Sequence, residues 1–331
     1  MSRTSWSRGQ RWKNDAIFFV ASAAVELGLA LPRSWLPKIG SMIGTAAYAL
    51  LAGARRTTHY NLALVRPELG DGARRALTRA IFRTLGRNLT DTIALLDPTE
   101  SPDRTLAITT ESRQALDGAL GEGRGVVYAT CHLGPWERMA ALLAKLGYPI
   151  TTVARESYDP RFHGLLYERL RTSRNVEAIY RAEPSAPFAI VKALKRGRIV
   201  GFLVDLPSRI AARADDGRKA PFQSVEWLGY PSHMARGPAR LALRTGSPIV
   251  VGTPAPATPG DARLCVRIAR LPGSDLPVGP AGEAALCQRI ADALSERIRA
   301  LEAHWPWMHP SFVRASAVDP ERSARHFRLV H

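Results

Sequence analysis

The sequence predicts an α/β protein: a mainly parallel central sheet flanked by helices, with an apolar helical N-terminal segment that associates with a membrane. Three observations carry this. Short, almost unbroken apolar runs recur from Gly125 onward, the pattern of strands buried on both faces. Stretches with apolar residues at helical spacing separate them, and strands alternating with helices build parallel sheets. Two longer apolar runs near a basic start precede all of these.

Arg3, Arg8, Arg11 and Lys13 lead into the first apolar run, residues 16–31. It resembles the charged start and apolar centre of a signal peptide, but Glu26 interrupts it and no small-residue cleavage site follows. A full membrane span needs about 20 apolar residues. A second run, 39–54, ends in Arg55-Arg56. Residues 1–60 therefore read as a membrane-embedded or membrane-lying helical hairpin. A pair of ordinary core helices fits the same pattern.

Residues 61–331 read as one α/β domain. Between 73 and 96, Leu77, Ile81, Leu85, Leu89, Ile93 and Leu96 recur at helical spacing, and Pro98 and Pro102 end the helix. Strands are expected at 125–131, 150–154, 176–180, 199–204, 248–253 and 264–268. Helices are expected at 136–146, 162–170, 188–194, 236–244 and 284–301. The polar, charged stretch 208–223 and the stretch 254–261 read as loops.

The chain carries 46 Lys+Arg against 29 Asp+Glu, a net charge of +17. Such a field attracts polyanions: nucleic acid, anionic lipid headgroups or an acidic carrier protein. The basic residues are spread along the chain with no nucleic-acid-binding motif, which weighs against the first. Cys131, Cys265 and Cys287 fit neither a zinc site nor a disulfide framework, and read as reduced and buried. No cluster has metal-ligand spacing, so neither a metal nor another cofactor is expected.

The sharpest local signal is Cys131-His132-Leu133-Gly134-Pro135-Trp136-Glu137-Arg138. A buried strand ends at its start, and Pro135 suits the first position of a helix. His132 and Glu137 thus flank a strand-to-helix turn at the carboxyl end of a strand, where α/β folds collect ligands. A neutral imidazole takes the proton of a hydroxyl as it attacks a carbonyl. Glu137 on the other ring nitrogen would fix the tautomer and stabilise the imidazolium. A structural histidine at a strand end fits the same local pattern. Cys131 and His132, adjacent on a strand, point to opposite faces and do not form a dyad.

His132-Leu-Gly-Pro-Trp-Glu137 resembles the His-x4-Asp/Glu motif of glycerolipid-type acyltransferases. Further segments match in order: Arg155 followed by Pro160; Gly201-Phe-Leu-Val-Asp205; the block from Trp227 through Gly229 and His233 to Arg236-Gly-Pro-Ala; the strand after Thr245; and Trp305-Pro-Trp307-Met-His309. Together they resemble the bacterial lipid A biosynthesis acyltransferase family of late acyltransferases, within the lysophospholipid acyltransferase-like superfamily. That family also includes acyltransferases acting on phosphatidylinositol mannosides. Pro135, Leu206, Leu228 and the run Pro310-Ser311-Phe312 depart from its usual pattern.

The resemblance implies a membrane-associated O-acyltransferase at the cytoplasmic face of the inner membrane. It would move a fatty acyl chain from acyl-carrier protein or acyl-coenzyme A to a hydroxyl of a glycolipid such as a lipid A precursor. His132 and Glu137 would be catalytic. Arg155, Asp205, Gly229 and Arg236 would contact substrate. Asp205 capping a turn and Gly229 serving the backbone are the plainer readings. Ser232 and His233 read as the start of a helix, and Trp305 and Trp307 as structural or as interfacial anchors. The rival readings are a basic membrane-binding or nucleic-acid-binding protein without transferase activity, and a hydrolase. No Gly-x-Ser-x-Gly elbow supports the hydrolase.

Overall fold

The computed structural model describes residues 6–157, 159–205, 222–258 and 263–309. Four helices come first: α1 (Arg8–Ala30), α2 (Leu36–Leu50), α3 (Ala52–Val65) and α4 (Asp71–Ala94). A capping box starts α1: Ser7 Oγ accepts from Gln10 N–H at 3.3 Å, and Gln10 Oε1 accepts from Ser7 N–H at 2.9 Å. Pro37 in the first turn of α2 needs no intrahelical N–H partner. α2 and α4 cross at backbone contact through Gly40, Gly44 and Gly86; a Cβ on any of them would run into the facing backbone. α1 lies on α4, with Val25 and Gly28 against Ile93.

The two N-terminal apolar runs are thus helices that dock on α4. Among the described residues, no helix is long and apolar enough to cross a membrane. α1 nevertheless carries a second apolar face. Trp12, Phe19, Val20 and Leu27 share the side opposite Val25 and Gly28, and all four are exposed.

The α/β part follows as β1 (Leu106–Ile108), α5 (Thr110–Gly121), β2 (Val126–Thr130), α6 (Trp136–Lys145) and β3 (Ile150–Ala154). A π-helical turn, His163–Glu168, leads into α7 (Arg169–Ser173), β4 (Glu177–Tyr180), α8 (Ala186–Lys195) and β5 (Ile199–Leu203). Then come β6 (Phe222–Trp227), β7 (Tyr230–Ala235), α9 (Gly237–Thr245), β8 (Ile249–Pro256), β9 (Leu264–Arg270) and α10 (Pro280–Ala300). Among the described residues, seven strands form one sheet in the order β1-β9-β8-β2-β5-β3-β4. Every neighbouring pair is parallel except β8 with β9. Val127, Ala129, Cys131 and Val200 pack on one face with residues of α9 and α10. Val126, Tyr128, Ile199 and Val250 pack on the other with α5 and α6. This is the expected mainly parallel sheet with helices on both sides.

Several boundaries differ from expectation. The helix expected over 162–170 is present but carries a π-helical stretch, His163–Glu168, before the short α7. The stretch 254–261, expected as a loop, begins as strand: β8 runs on to Pro256, where it pairs with β9. Ser232 and His233 do not start a helix; they lie in β7, which pairs with β6 as an antiparallel hairpin. Their alternation explains it: Ser232 and Met234 are buried and His233 is exposed. Residues 208–221 of the loop expected over 208–223 lie outside the described residues, while Phe222 and Gln223 open β6. β1 and α5 were not foreseen at all.

Candidate active site

β2 is an interior strand, and its five residues are all buried. It pairs in parallel with β5, with Thr130 opposite Leu203. Two residues further along each chain stand His132 and Asp205, so strand register brings them face to face at the carboxyl edge of the sheet. Asp205 Oδ1 lies 2.8 Å from His132 Nδ1. Asp205 Oδ2 accepts from the His132 backbone N–H at 2.9 Å and from the Trp305 indole N–H at 2.9 Å. The Asp205 side chain is wholly buried, whereas that of His132 keeps 20% of its surface open. Among the described residues, nothing hydrogen-bonds His132 Nε2.

The electrostatics follow from this contact. Burial opposes charge on both groups. For Asp205, the His132 charge, the hydrogen bonds from its ring and backbone, and the Trp305 N–H outweigh burial and hold the carboxyl below its ordinary range. For His132, burial lowers the pKa, but Asp205 and then the Glu137 charge outweigh it and raise the value above 6.5. A carboxylate on Nδ1 fixes the proton there and leaves Nε2 as the acceptor. The arrangement is a base with its orienting acid, the logic of a histidine–carboxylate dyad.

The turn that presents His132 is short. Gly134 takes a left-handed φ of 60°. Its N–H donates to the His304 carbonyl at 3.0 Å. α6 then starts at Trp136, whose indole meets the imidazole edge-on with centroids 5.0 Å apart. His304 beside this turn is held neutral: burial, then the Arg87 charge, pushes it down to about 4. Cys131 packs into the core face away from the imidazole, and burial, then the Asp205 charge, pushes its thiol well up. It is no thiolate nucleophile.

The carboxylate on Nδ1 is Asp205, which corrects the expectation for Glu137. Asp205 arrives in register from the neighbouring strand and takes that nitrogen. Glu137 lies in the first turn of α6, half-buried, near enough for its charge to act on His132 but with no hydrogen bond to the ring. The Asp205 side chain is itself sealed, and three donors already meet it.

The other expected positions fare differently. Arg155 follows β3 on the same edge, exposed, with no ion pair among the described residues. Arg181, beyond β4, is its neighbour: its N–H donates to the Ala154 carbonyl at 2.9 Å. Partial burial, then the Arg155 charge, holds the Arg181 guanidinium below its ordinary pKa. Gly229 lies in the β6–β7 hairpin. It closes the two-residue turn with φ 89° after Leu228 at φ 54°, the positive-φ pair such turns require. Arg236 is engaged with Glu283 of α10 at 2.8 Å, a carboxylate that Arg240 shares at 3.0 Å.

Sequence reasoning missed the part played by Trp305. It is 1% exposed, packed perpendicular to Trp307 at 5.0 Å. Asn61 anchors the segment by donating to the Trp307 carbonyl at 2.6 Å and the His309 carbonyl at 2.9 Å. The C-terminal tryptophans therefore brace the acid of the dyad and do not face an interface. The signal was their close spacing in a chain with only 7 Trp.

Phosphatidylinositol mannoside acyltransferases from two Mycobacterium tuberculosis strains, CDC 1551 / Oshkosh and ATCC 25618 / H37Rv, are each 28% identical to the chain over 203 residues. That stretch covers 60% of this chain and 58% of each relative. Residues 7–314 match the family described as bacterial lipid A biosynthesis acyltransferase, a match that takes in the docked N-terminal helices, the sheet, His132, Asp205 and Trp305 together. The chain belongs to the bacterial lipid A biosynthesis acyltransferase family.

Proposed function

We propose that this protein moves a fatty acyl chain from an acyl thioester to a hydroxyl of a glycolipid, with His132 as general base. The observation that carries this is the His132–Asp205 contact, which among the described residues leaves Nε2 unengaged at the carboxyl edge of the sheet, on a side chain with 20% of its surface exposed. Nε2 takes the acceptor hydroxyl proton as the oxygen attacks the thioester carbonyl. Asp205 stabilises the imidazolium. The tetrahedral intermediate collapses, the carbon–sulfur bond breaks, and the imidazolium returns its proton to the leaving thiolate. Glu137, beside the base and without a hydrogen-bond partner among the described residues, holds hydroxyls of the acceptor. Arg155 and Arg181 offer two guanidinium groups on the same edge to a phosphate of the donor or of the acceptor headgroup. The donor class is acyl-carrier protein or acyl-coenzyme A, both anionic as the net charge of +17 favours. A relative's action on phosphatidylinositol mannoside supports a glycolipid acceptor, with a lipid A precursor as the other candidate.

Mass spectrometry of total membrane lipid tests this, with wild type and His132→Ala given each donor in separate reactions. One lipid gains a single acyl mass with wild type, and the variant loses at least about 10²-fold in rate. Equal transfer by both proteins would remove His132 from the chemistry. Free fatty acid as the only product would point to a hydrolase.

The site works at the cytoplasmic face of the inner membrane, with α1 lying in the headgroup region. Trp12 is 81% exposed and Phe19 75%, in one stripe with Val20 and Leu27, close to Arg8, Arg11 and Lys13. An apolar face rimmed by basic residues suits an anionic bilayer surface. Phe19→Ser with Leu27→Ser should weaken sedimentation with anionic vesicles by at least about 100-fold, since each side chain contributes roughly 1.5–3 kcal/mol when buried. Undiminished binding would place the membrane contact elsewhere.

A further inference from the structure

The two faces of β9 are unequal. Val266 and Ile268 are buried in the core that α5 covers. Arg267 and Ala269 alternate with them onto the opposite face, and both are exposed. α10 lies on that opposite face: Val251 of β8 shares a core with Ile290, Leu294 and Ile298. Its cover stops short of β9 and leaves an open shelf along its flank.

Arg297, in the last turn of α10, reaches onto this shelf. Its Nη1 donates to Thr253 Oγ1 at 3.3 Å and to the Arg267 carbonyl at 2.6 Å. Thr253 and Arg267 are cross-strand partners, and such partners project to one face with Cβ atoms about 5 Å apart. The two guanidinium groups thus share one side of the sheet. A cation at a helix C-terminus commonly serves the last carbonyls of its own helix; Arg297 turns away from them to the sheet.

The charges at this place do not balance. Among the described residues, neither Arg297 nor Arg267 forms an ion pair. Arg297 Nε and Nη2 make no hydrogen bond among those residues, and Arg267 uses Nη2 alone, on the Ala257 carbonyl at 3.1 Å. Burial holds the Arg297 guanidinium below its ordinary pKa; Tyr128, Cys131 and Glu296 oppose this, and the Arg267 charge adds to it. A partly buried cation beside a second cation, with donors to spare, lacks its counter-ion.

Register places the shelf relative to the base. Ala129 lies opposite Val251, so Cys131, the residue before His132, falls level with Thr253. β9 stands two strands from β2, about 10 Å away. Arg155 follows β3, two strands to the other side of β2. The two basic sites therefore flank His132.

We propose that Arg267 and Arg297 form an anion site that binds a phosphate group of a substrate whose reacting end lies at His132. The inference rests on the acyl-transfer reading above and adds a second phosphate contact, apart from Arg155 and Arg181. Guanidinium forks with unused N–H groups suit phosphate oxygens, and their paired charge matches that of a phosphate monoester. The separation from the base fits a phosphate on the donor's carrier arm or on the acceptor's headgroup.

Phenylglyoxal labelling of arginines, mapped by mass spectrometry with and without inorganic phosphate at fixed ionic strength, tests occupancy. Phosphate should slow labelling of Arg267 and leave that of the exposed Arg196 unchanged. In Arg297→Gln, which keeps a donor for Thr253 and removes the charge, that protection should be lost. Arg297→Gln and Arg267→Gln should each raise KM for one substrate by at least about tenfold, with kcat nearly unchanged. If Arg297→Gln fails to fold, Arg267→Gln, at an exposed position, carries the comparison. A rise against the donor that vanishes with an acyl-pantetheine lacking phosphate assigns the site to the donor. A rise against the acceptor that vanishes with a dephosphorylated glycolipid assigns it to the headgroup. No protection of Arg267, or protection with KM unchanged for both substrates, would overturn the site while leaving acyl transfer intact. A wild type that transfers no chain would overturn the substrate role together with the acyl-transfer reading.

Discussion

Asp205→Asn is expected to lower kcat by up to about 10⁴-fold while leaving the fold in place, the size of effect seen when a buried carboxylate behind a catalytic imidazole becomes an amide. The amide keeps the shape of the carboxylate and can still accept from the Trp305 indole or the His132 backbone. It removes the charge that stabilises the imidazolium, and its NH₂ can donate to Nδ1 and so favour the wrong tautomer. The pH profile separates this role from a merely structural one. In wild type, Asp205 raises the His132 pKa. The base form is therefore lost as pH falls through a value above 6.5, and the acidic limb of kcat/KM lies there. Without the Asp205 charge, burial dominates and lowers that pKa, so the limb of the variant moves to lower pH. A variant with lowered kcat but an unmoved limb would show that Asp205 only braces the turn. Wild-type activity in the variant would remove it from the mechanism altogether.

The contrast between Glu137 and Asp205 shows what a single sequence exposes. Glu137 lies five positions after His132, so a local reading pairs them. Asp205 lies 73 positions away, and only the insertion of β5 beside β2 makes them neighbours. The sheet order depends on which apolar runs pair, and such runs look alike. Strand existence was legible for the opposite reason: GVVYATC reads as a strand because burial on both faces leaves nothing polar in it. β1 escaped because three residues at the sheet edge give no periodicity. The β6–β7 hairpin escaped because its two-residue turn is Leu228-Gly229, with leucine at a positive φ where Asn or Gly is the usual signal. Leu228 accepts that conformation in return for burial at 2% exposure and a hydrogen bond from its N–H to Ser295 Oγ at 2.9 Å. The N-terminal apolar faces were visible as composition, but which of them docks on α4 depends on Gly40, Gly44 and Gly86 meeting, again a long-range fact.

Arg138→Met should destabilise the protein by about 3–5 kcal/mol, the cost of removing the buried cation from a network that holds Glu100 and Asp91. Arg138 follows Glu137 in α6 and is wholly buried. Its Nε donates to both oxygens of Asp91, at 2.9 and 2.8 Å, and its Nη2 to Glu100 Oε1 at 2.9 Å. Its Nη1 donates to the Ser101 carbonyl at 2.9 Å. One guanidinium thus ties the first turn of α6, and with it the His132 loop, to α4 and to the segment before β1. Met preserves much of the volume, so the loss reports the weakened ion-pair network and not a cavity. Burial raises the Glu100 pKa, but Arg104 and Arg138 outweigh it and hold the carboxyl below its ordinary range. A depressed folded pKa contributes stability that is present above the unfolded value, about 4.3, and is lost as pH falls through the folded one. In the variant that contribution shrinks, so its deficit in urea unfolding should be largest near neutral pH and narrow as pH drops below about 4. Arg138→Lys keeps the charge but loses the planar fork, and should fall between the two. A deficit below about 1 kcal/mol, or one that does not change with pH, would mean that the acids find water or other partners and that the N-terminus of α6 is held by packing alone.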